Sequence, residues 1–542
     1  MKKFYALLVV LMATTLLLVG CSKKELDKDA SGEITVMLYN GDGNTYKDLG
    51  HQNLLVNEVT NKKLGTMYAV TKEFNKLYPN VKINVHFKQG ASYDWATNQT
   101  WAQYRENFET TENTKIDIWS ATDLAGDTTR GLVSDLSVFE KYDSYKTFNP
   151  AIMGMLNYYG VQAGLPQYLV PWGVYVNKSL AEEKNIDVPD VDWTMEEYAS
   201  FVKHKQDQVW YGTSEVPHRF LQTGISTFAQ LLAKQGVDGD FINVNNDETK
   251  ALIPYLGDIA PYGVWNQIDA GNLDMSFAAE NNWWTGLFQQ NKLLTHHGDP
   301  WSIGDLANPV TSKLIENGTD WDYYPRPSTA KVENTVGVVI DPIAIRNFAM
   351  DDKDAKLSDA EFAKLQIAYE FAAFWVADTR SWEARSKQQF MDATSKQLLT
   401  TMDDSFPVTT GKNFDDQMDI WFELPTHQYF ASAEKTPGFH KVLDLFKNGK
   451  VYDITDKAYP WNFDDNGSSK NIIDEWNQML NPAYLAGEGA TSPKVVDAGW
   501  KDAVLAKLPE WNRLMNERFT TAFANLKESL KKYYGKTDKD FK

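Results

Sequence analysis

Hydrophobic positions near the amino terminus follow two different periods, and their order predicts the fold class. The run EITVMLYN at residues 33–40 is apolar at most positions, which is typical of a strand buried on both faces. Residues 70–78 then place apolar side chains at helical spacing up to Pro79, and residues 81–87 alternate apolar and polar side chains as a strand does. A strand, a helix and a strand in this order form a right-handed crossover in a parallel sheet. The chain is therefore predicted to begin as an α/β domain.

Two further stretches extend this pattern and place polar side chains at strand ends. The run IDIWSATD at residues 116–123 predicts another short strand that ends in small polar residues. Residues 173–177 predict a strand followed by a helix, and Thr194 with Glu197 forms the capping box of a second helix. Because ligands of open α/β sheets bind where such strand ends converge, we expect a binding site there.

The first residues of the chain predict export. Lys2 and Lys3 precede a mostly apolar run at residues 4–20, which is the pattern of a secretory signal. A run of this length could also stay in the membrane as a signal anchor, and this alternative remains. Cys21 is the only cysteine, so the folded part is predicted to contain no disulfide. Residues 22–32 are charged and poor in apolar side chains, which predicts a mobile tether.

The sequence LVGC at residues 18–21 resembles the lipobox of bacterial lipoproteins. The resemblance implies that a diacylglyceryl group is attached to the sulfur of Cys21 and that the signal peptide is cleaved just before it. Two or more acyl chains hold a protein to a bilayer where one chain would not. We therefore expect the exported protein to contact the membrane through a lipid anchor only.

Charge and composition exclude some classes of function. The net charge of −19 argues against nucleic acid as a partner, because a chain this acidic repels phosphates. The chain has no G-x-S-x-G motif, no H-E-x-x-H motif and no glycine-rich phosphate loop, so common enzyme classes lack their signatures. Its 73 acidic residues could still supply a catalytic pair, so an exported glycoside hydrolase stays as an alternative.

Several segments in a fixed order carry a family resemblance. They read TKEFNKLYPNVKINVHF, LVSDLSVFEKY, GLPQYLVPWGVYVNKSLAEEKNIDVPDVDWTMEEY, YYPRPS, TVGVVIDPIAIR, AYEFAAFWVAD and FPVTTGKNF. In this order they resemble the family 1 extracellular solute-binding proteins, which are the carbohydrate-capturing lipoproteins of ABC importers and are similar to maltodextrin-binding protein. The resemblance covers residues 34–414, and its most specific block begins at Gly164. Residues 415–542 match only in being largely helical.

The resemblance implies a periplasmic-binding-protein-like fold of two discontinuous α/β lobes that close on a sugar about a hinge. The chain would cross between the lobes near residues 167–172, near residues 323–327 and between residues 378 and 406. The predicted divisions are a signal peptide at 1–20, a lipidated tether at 21–32, an amino-terminal lobe at 33–168 and 326–380, and a carboxyl-terminal lobe with a helical extension at 169–325 and 381–542.

The resemblance also implies the partners. A neutral oligosaccharide would bind between the lobes, and ABC transporter permease subunits would receive it. We expect a monomer without cofactor or catalytic residues, lipid-anchored to the outer face of the cell membrane of a Gram-positive bacterium. A binding protein for another solute, such as an acidic sugar, a polyol or a peptide, is the alternative. His296 and His297 stand beside no second cluster of metal-binding residues, so no metal site is predicted.

Sugar binding requires particular residue types. A pyranose has an apolar C–H face that stacks on aromatic rings, and hydroxyls that need planar polar partners. An ordinary turn at residues 39–42 and a buried indole at Trp119 are the structural alternatives for two of the candidates. Adjacent residues on a helix point about 100° apart, so Trp283 and Trp284 cannot enter the same core, and the resemblance implies that a tryptophan here stacks on the sugar. The candidate ligand-binding residues are Tyr39, Asn40, Asp42, Trp119, Asp123, Tyr168, Trp172, Asn281, Trp283, Trp284, Trp301 and Trp461.

Overall fold

The structure of the protein, a computed structural model, describes residues 25–39, 45–88, 93–94, 99–204, 210–214, 245–269, 274, 276, 285–296, 302–328, 334, 336–349, 356–393, 395–453 and 498–541. Cys21 and the predicted signal segment lie outside these ranges. Within them, no helix combines the length and the apolar character needed to cross a bilayer.

The strands of these residues are β1 (Gly32–Tyr39), β2 (Thr45–Tyr46), β3 (Val81–Lys88), β4 (Tyr93–Asp94), β5 (Gln99–Thr100), β6 (Ile118–Ser120), β7 (Asn157–Tyr158), β8 (Val161–Gln162), β9 (Leu165–Trp172), β10 (Val174–Asn177), β11 (Tyr211–Thr213), β12 (Leu293–His296), β13 (Trp321–Tyr324), β14 (Val336–Ile345), β15 (Gln389–Met391), β16 (Leu398–Thr400) and β17 (Val451–Asp453).

The helices are α1 (Lys62–Leu77), α2 (Trp101–Thr111), α3 (Leu124–Thr129), α4 (Asp143–Lys146), α5 (Pro150–Gly154), α6 (Lys178–Glu183), α7 (Met195–Val202), α8 (Asp247–Ile259), α9 (Val264–Asp269), α10 (Thr285–Gln289), α11 (Ile303–Ala307), α12 (Lys313–Glu316), α13 (Asp359–Ala377), α14 (Thr379–Lys387), α15 (Gly411–Glu423), α16 (Pro437–Lys447) and α17 (Ala498–Tyr534). Short 3-10 helices lie at Leu49–His51, Val56–Glu58, Leu136–Phe139, Ala260–Tyr262 and Gln428–Ala431.

The larger sheet has the strand order β17-β14-β6-β1-β3-β2, and β9 also pairs with β14. β1 lies parallel to β3 and to β6, and Ile34 of β1 stands opposite Ile83 of β3. Both isoleucines are fully buried, as a strand covered on both faces requires. β14 runs antiparallel to β6 and to β9. The predicted parallel strand–helix–strand unit is therefore confirmed as β1, α1 and β3.

Helix α1 connects β1 to β3 and begins earlier than its apolar pattern suggested. Asn61 caps it, because its side chain accepts hydrogen bonds from the backbone N–H groups of Lys63 (2.8 Å) and Leu64 (3.2 Å). The helix ends before Tyr78 and Pro79. A crossover helix runs antiparallel to the strands that it connects. The amino-terminal end of α1 therefore lies at the edge of the sheet where β1 ends.

The second sheet has the order β11-β12-β10-β13. β10 lies antiparallel to both of its neighbours. Its core is aromatic, since Trp321 is fully buried and stacks on Tyr429 with ring centroids 4.7 Å apart. The buried Asp322 accepts hydrogen bonds from the backbone N–H groups of Gly438 (2.7 Å) and Phe439 (3.1 Å), which ties the start of α16 to this sheet. The mixed α/β architecture, with two main sheets, three two-stranded sheets and a helical carboxyl-terminal region in the described residues, agrees with the predicted fold class.

The chain passes between the two main sheets at two places that the strand order identifies. β9 of the first sheet continues into β10 of the second through Gly173 alone, and the chain between Tyr324 and Val336 returns from β13 to β14. Residues 401–406, which follow β16 and which we call the third crossing segment, bond to β9. The backbone N–H of Leu169 donates to Ser405 Oγ (3.0 Å), and the N–H of Phe406 donates to the carbonyl of Leu169 (2.6 Å).

Two predicted divisions differ from the observed packing. α14 and β15 contact α1, and β16 pairs with β15, so residues 381–400 pack on the unit of the first sheet, whereas the prediction assigned them to the carboxyl-terminal lobe. Helix α17 contacts α3, which follows β6 of the first sheet, and also α8, which packs on α7 beside the second sheet. The predicted helical extension is present, but it touches elements of both sheets.

The segment predicted as a mobile tether is partly folded. Leu26 is 6% exposed and belongs to the main hydrophobic core. The N–H of Ala30 donates to the carbonyl of Asp27 (2.9 Å), which closes a turn before β1. The prediction is therefore wrong for residues 25–31, because one leucine in a charged segment packs into the core.

Candidate ligand-binding cleft

One face of β9, at the junction between the two sheets, carries two of the predicted aromatic residues. Tyr168, Val170 and Trp172 alternate along the strand and therefore point to the same side. Val170 forms a small apolar cluster with Val339 of the neighbouring strand, and the half-buried Tyr168 and Trp172 pack against it. This cluster is separate from the main core, which takes Leu165 and Leu169 from the opposite face of β9. We call Tyr168, Val170, Trp172 and Val339 the hinge face.

Close backbone packing holds the hinge face in place. A Cβ atom on Gly173 would lie 2.3 Å from the carbonyl oxygen of Tyr324, so only glycine fits between β9 and β10. The hydroxyl of Tyr323 donates to the carbonyl of Pro171 (2.8 Å) and accepts from the N–H of Gly173. The second sheet is thus fastened to the last residues of β9, which sets the position of Trp172.

Charged side chains gather beside the hinge face. Asp341 of β14 stands opposite Tyr168 and is buried. Lys63 lies in the first turn of α1, at the edge of the sheet where β1 ends. Burial lowers the pKa of the Lys63 ammonium, while the negative charges of Asp403 and then of Asp341 oppose that shift. One cation and two carboxylates from α1, β14 and the third crossing segment therefore act on each other near the hinge face.

A second polar group connects the third crossing segment to the chain between β12 and β13. Asp404 Oδ1 accepts from the N–H of Gly304 (3.1 Å) and lies 2.9 Å from Nε2 of the buried His427. Burial, and next the charge of Asp404, raise the pKa of the Asp305 carboxyl, and the charge of Lys62 opposes them. Lys62 begins α1 of the first sheet and Asp305 lies in α11, so charges of the two units face each other here.

Asp123 lies at the end of β6, on the same edge of the first sheet. Its carboxylate accepts from the N–H of Gly126 (2.9 Å) and caps α3. Burial and the neighbouring charge of Asp127 raise the pKa of Asp123 to about 6. Near neutral pH the side chain is still mainly ionised. It can therefore accept hydrogen bonds, in addition to its structural role as a cap.

Trp119 is buried, which supports the structural alternative for this residue. Its indole is 1% exposed, and its Nε1 donates to Asp127 Oδ2 (2.8 Å). The guanidinium carbon of Arg105 lies 4.1 Å from a ring centroid of the indole. With a carboxylate at its edge and a cation on its face, the ring has no free surface for a sugar. The interpretation of Trp119 as a stacking residue is therefore corrected.

The remaining predicted residues divide into two groups. Tyr39 ends β1 opposite Lys88, so its backbone lies at the same edge of the sheet as Asp123. The others lie outside the described residues, and they are Asn40, Asp42, Asn281, Trp283, Trp284, Trp301 and Trp461. Their interpretation as ligand-binding residues stays a prediction.

Sequence reasoning missed the charged residues Lys63, Asp341 and Asp403. One signal was available, because Asp341 interrupts the otherwise apolar run VGVVIDPIAI of β14. Buried aspartates are rare unless they are paired. Across the described residues, no group of three or more His, Cys, Asp or Glu side chains is arranged to hold a metal ion.

Comparisons with known proteins assign the chain to a family. The family model for bacterial extracellular solute-binding proteins matches residues 69–391, which is more than half of the chain. A comparison with curated proteins gave no match.

Solved structures show the same fold at low sequence identity. A family 1 extracellular solute-binding protein from Bifidobacterium longum subsp. infantis is 16% identical with a TM-score of 0.50, over 89% of this chain and 100% of that one. A candidate oligosaccharide periplasmic-binding protein from Synechococcus sp. MITs9220, in complex with zinc, is 12% identical with a TM-score of 0.51, over 90% and 100%. A de novo designed cysteine esterase is 12% identical with a TM-score of 0.54, over 90% and 99%. At these identities the likeness extends to the fold alone.

The family match and the two-sheet fold with its crossing strands agree with each other. The chain belongs to the bacterial extracellular solute-binding protein family.

Proposed function

We propose that the protein is the substrate-binding lipoprotein of a carbohydrate ABC transporter. It captures a neutral oligosaccharide between two lobes and delivers it to membrane permease subunits. The observation that carries the proposal is the hinge face, where Tyr168 and Trp172 lie at the junction of the two sheets beside Asp341, whose charge acts on Lys63. Exported solute-binding proteins with this fold act by binding and release, so the proposal includes no catalytic step.

The hinge face has the chemistry that a sugar requires. Aromatic rings offer flat apolar surfaces to the C–H faces of pyranoses, and carboxylate and ammonium groups bond to their hydroxyls. Tyr168 and Trp172 are four residues apart on one strand, so their Cα atoms are separated by about 13 Å. That spacing exceeds one pyranose ring, which favours an oligosaccharide over a monosaccharide. Asp123, at the same sheet edge, is a further acceptor for hydroxyls.

Closure of two lobes follows from the connections between the sheets. We assign the first sheet with α1, α13 and α14 to one lobe, and the second sheet with α7, α8 and α16 to the other. A sugar on the hinge face can touch both lobes only when they approach each other, so binding favours the closed state. Small-angle scattering should show a smaller radius of gyration with the sugar than without it. An unchanged radius would argue against closure.

The anchor is the second part of the proposal. Cys21 carries the lipid and holds the monomeric protein on the outer face of a Gram-positive cell membrane. Its sequence context, LVGC after an apolar run, supports this. The Cys21→Ala protein should appear in the medium. If the Cys21→Ala protein still fractionates with membranes after a high-salt wash, the result would favour the alternative, an uncleaved signal anchor.

The decisive experiment is a thermal-shift screen of the soluble protein against neutral glycans, acidic sugars, polyols and peptides. A ligand at a hundredfold excess over its Kd stabilises the native state by about 2.7 kcal/mol, which is measurable as a higher melting temperature. We expect neutral oligosaccharides to give the shift. A shift with acidic sugars or peptides alone would replace the proposed ligand class. Slow release of new reducing ends from the bound glycan would indicate a glycoside hydrolase.

A further inference from the structure

The docked amino-terminal segment shortens the connection between the folded protein and Cys21. Leu26 is buried in the core, and Gln366 Nε2 of α13 lies 3.4 Å from the carbonyl oxygen of Glu25. Only four residues separate Cys21 from Leu26. Five extended Cα steps span at most about 18 Å, whereas a free connection up to Gly32 would span about 40 Å. Leu26 therefore stays within about 18 Å of the residue that carries the lipid.

The surface around Leu26 is unusually apolar. A groove of about 420 Å³ lies there, and we call the surface that it forms with Leu26, Ala30, Val138, Tyr142, Phe362 and Ile367 the tether face. Val138 is 52% exposed and Phe362 is 39% exposed, and both belong to the few large apolar side chains that the described residues leave in solvent. The ring of Phe362 packs on Phe139 with centroids 6.1 Å apart, so it is held at the surface. Exposed apolar patches of this kind mark interaction sites.

We propose that the tether face lies against the lipid surface in which the acyl chains of Cys21 are embedded, so that membrane contact extends beyond the lipid anchor that the sequence alone led us to expect. The inference rests on the proposed lipid anchor. The leaflet is the partner that the connection always keeps within about 18 Å of this face. A second copy of the chain is a poorer partner, because each copy has a net charge of −19 and repels the other.

Local charge agrees with a lipid partner. Residues 22–32 contain three lysines, Lys23, Lys24 and Lys28, and three acidic residues, Glu25, Asp27 and Asp29. The segment is therefore neutral although the chain as a whole is strongly acidic. An anionic leaflet repels acidic surfaces, so this neutral segment lets Val138 and Phe362 approach the leaflet at a lower cost than an acidic segment would, although Asp359 and Glu361 in the first turn of α13 add negative charge beside Phe362.

The contact fixes how the protein stands on the membrane. β1 starts at Gly32, beside the tether face, and ends at Tyr39, at the edge of the sheet that carries Asp123. Seven strand steps separate these ends by about 23 Å. When the tether face lies on lipid, the sheet edge that carries Asp123 points away from the membrane, toward the solution from which solute arrives. Delivery to a permease then requires the tether face to leave the lipid.

Cysteine labelling tests the proposal, because Cys21 is the only cysteine and is acylated in the anchored protein. Val138→Cys and Phe362→Cys proteins are labelled with bimane and reconstituted in lipidated form into phosphatidylcholine–phosphatidylglycerol vesicles that contain doxyl-labelled lipid. Val310→Cys is the matched control, since Val310 is 63% exposed and lies between α11 and α12, neither of which lines the groove of the tether face. We expect at least twofold quenching at positions 138 and 362 and none at position 310. Equal quenching at all three positions, or none, would overturn the proposal.

A second variant tests the role of docking. Leu26→Asp should release residues 25–31, lengthen the connection and reduce quenching at position 138 while the protein stays bound to vesicles. Unchanged quenching in this variant would contradict the argument from length. The mass of the amino-terminal peptide reports acylation, and the sugar-induced melting shift reports the receptor function. A protein without acylation would overturn both anchor and surface, whereas an acylated, sugar-binding protein without quenching would overturn the surface alone.

Discussion

Replacement of Trp172 by alanine tests the hinge face most directly. The ring is half-buried and packs on the small cluster of Val170 and Val339, apart from the main core. By analogy with bases stacked on aromatic side chains, loss of one stacked ring should cost about 1–3 kcal/mol of binding free energy. At 1.4 kcal/mol for each factor of ten, the Kd for the sugar should rise about 5- to 150-fold.

The stability of the Trp172→Ala protein should change less than that of a core variant. A tryptophan-to-alanine change in a close-packed core costs about 3–5 kcal/mol. Trp119 provides the matched control, because it is buried and its Nε1 donates to Asp127. Trp119→Phe removes that donor and should lower the free energy of unfolding by about 1–3 kcal/mol. Its sugar affinity should stay unchanged.

Two measurements separate the roles of these tryptophans. Isothermal titration calorimetry with the sugar found in the thermal-shift screen gives the affinity, and urea denaturation gives the free energy of unfolding. The expected pattern is lost affinity with small destabilisation for Trp172→Ala, and the reverse for Trp119→Phe. Unchanged affinity with large destabilisation for Trp172→Ala would refute the interpretation of the hinge face as a binding surface.

Three further results are expected. Burial raises the pKa of Glu370 from 4.5 to about 7, so the native state binds an extra proton between these pH values, and the free energy of unfolding should fall by about 3 kcal/mol as the pH rises through them. The Glu370→Gln protein should not show this loss when urea unfolding is compared at pH 4 and pH 8. An unchanged pH dependence in this variant would contradict the assignment. Asp404→Ala should lower the free energy of unfolding by about 2 kcal/mol or more, because it leaves His427 and the backbone N–H of Gly304 without their acceptor. A loss below about 0.5 kcal/mol would show that water takes the place of the Asp404 carboxylate. In hydrogen–deuterium exchange, sugar should change the amides at one end of α17 more than those at the other end, because closure loosens only one of its two contacts with α3 and α8, and equal changes at both ends would count against this constraint on closure.

Local patterns predicted the elements that local interactions stabilise. The nearly continuous apolar run of β1, the alternation of apolar and polar residues in β3 and the helical spacing before Pro79 identify these elements, because each pattern needs only neighbours in sequence. The capping box is also local. Glu197 donates its N–H to Thr194 Oγ1 (3.2 Å), and Glu197 Oε2 accepts from the N–H of Thr194 (2.7 Å), as predicted.

The sequence could not separate a buried tryptophan from a ligand-binding one. Trp119 and Trp172 both stand at strand ends beside small or polar residues. Trp119 is buried because Arg105, from the preceding helix, covers its ring and Asp127, from the following helix, accepts from its edge. Both partners depend on how α2 and α3 pack on the sheet, which the pattern around Trp119 does not contain.

The charged residues near the hinge face come together only through contacts between segments that are far apart in sequence. Lys63 interacts with Asp341 and Asp403, which lie far along the chain and on different elements. The docked tether was missed for a related reason. Leu26 stands alone among charged residues, and its burial depends on α13, which follows more than three hundred residues later.

Helix α17 constrains the proposed closure of the two lobes, and the family resemblance does not predict this constraint. Its carboxyl-terminal end is held firmly, because Tyr534 donates to the carbonyl of Val133 (2.9 Å) and its neighbouring tyrosine packs over Gly131, near α3. Its other end packs on α8, where Lys501 pairs with Asp258 (2.8 Å) in partial contact with solvent, and the same end of α17 buries Trp500 and Val504. Such exposed pairs contribute about 0–1 kcal/mol. A helix that contacts both units resists the lobe closure proposed above, so that closure requires one of its two contacts to loosen.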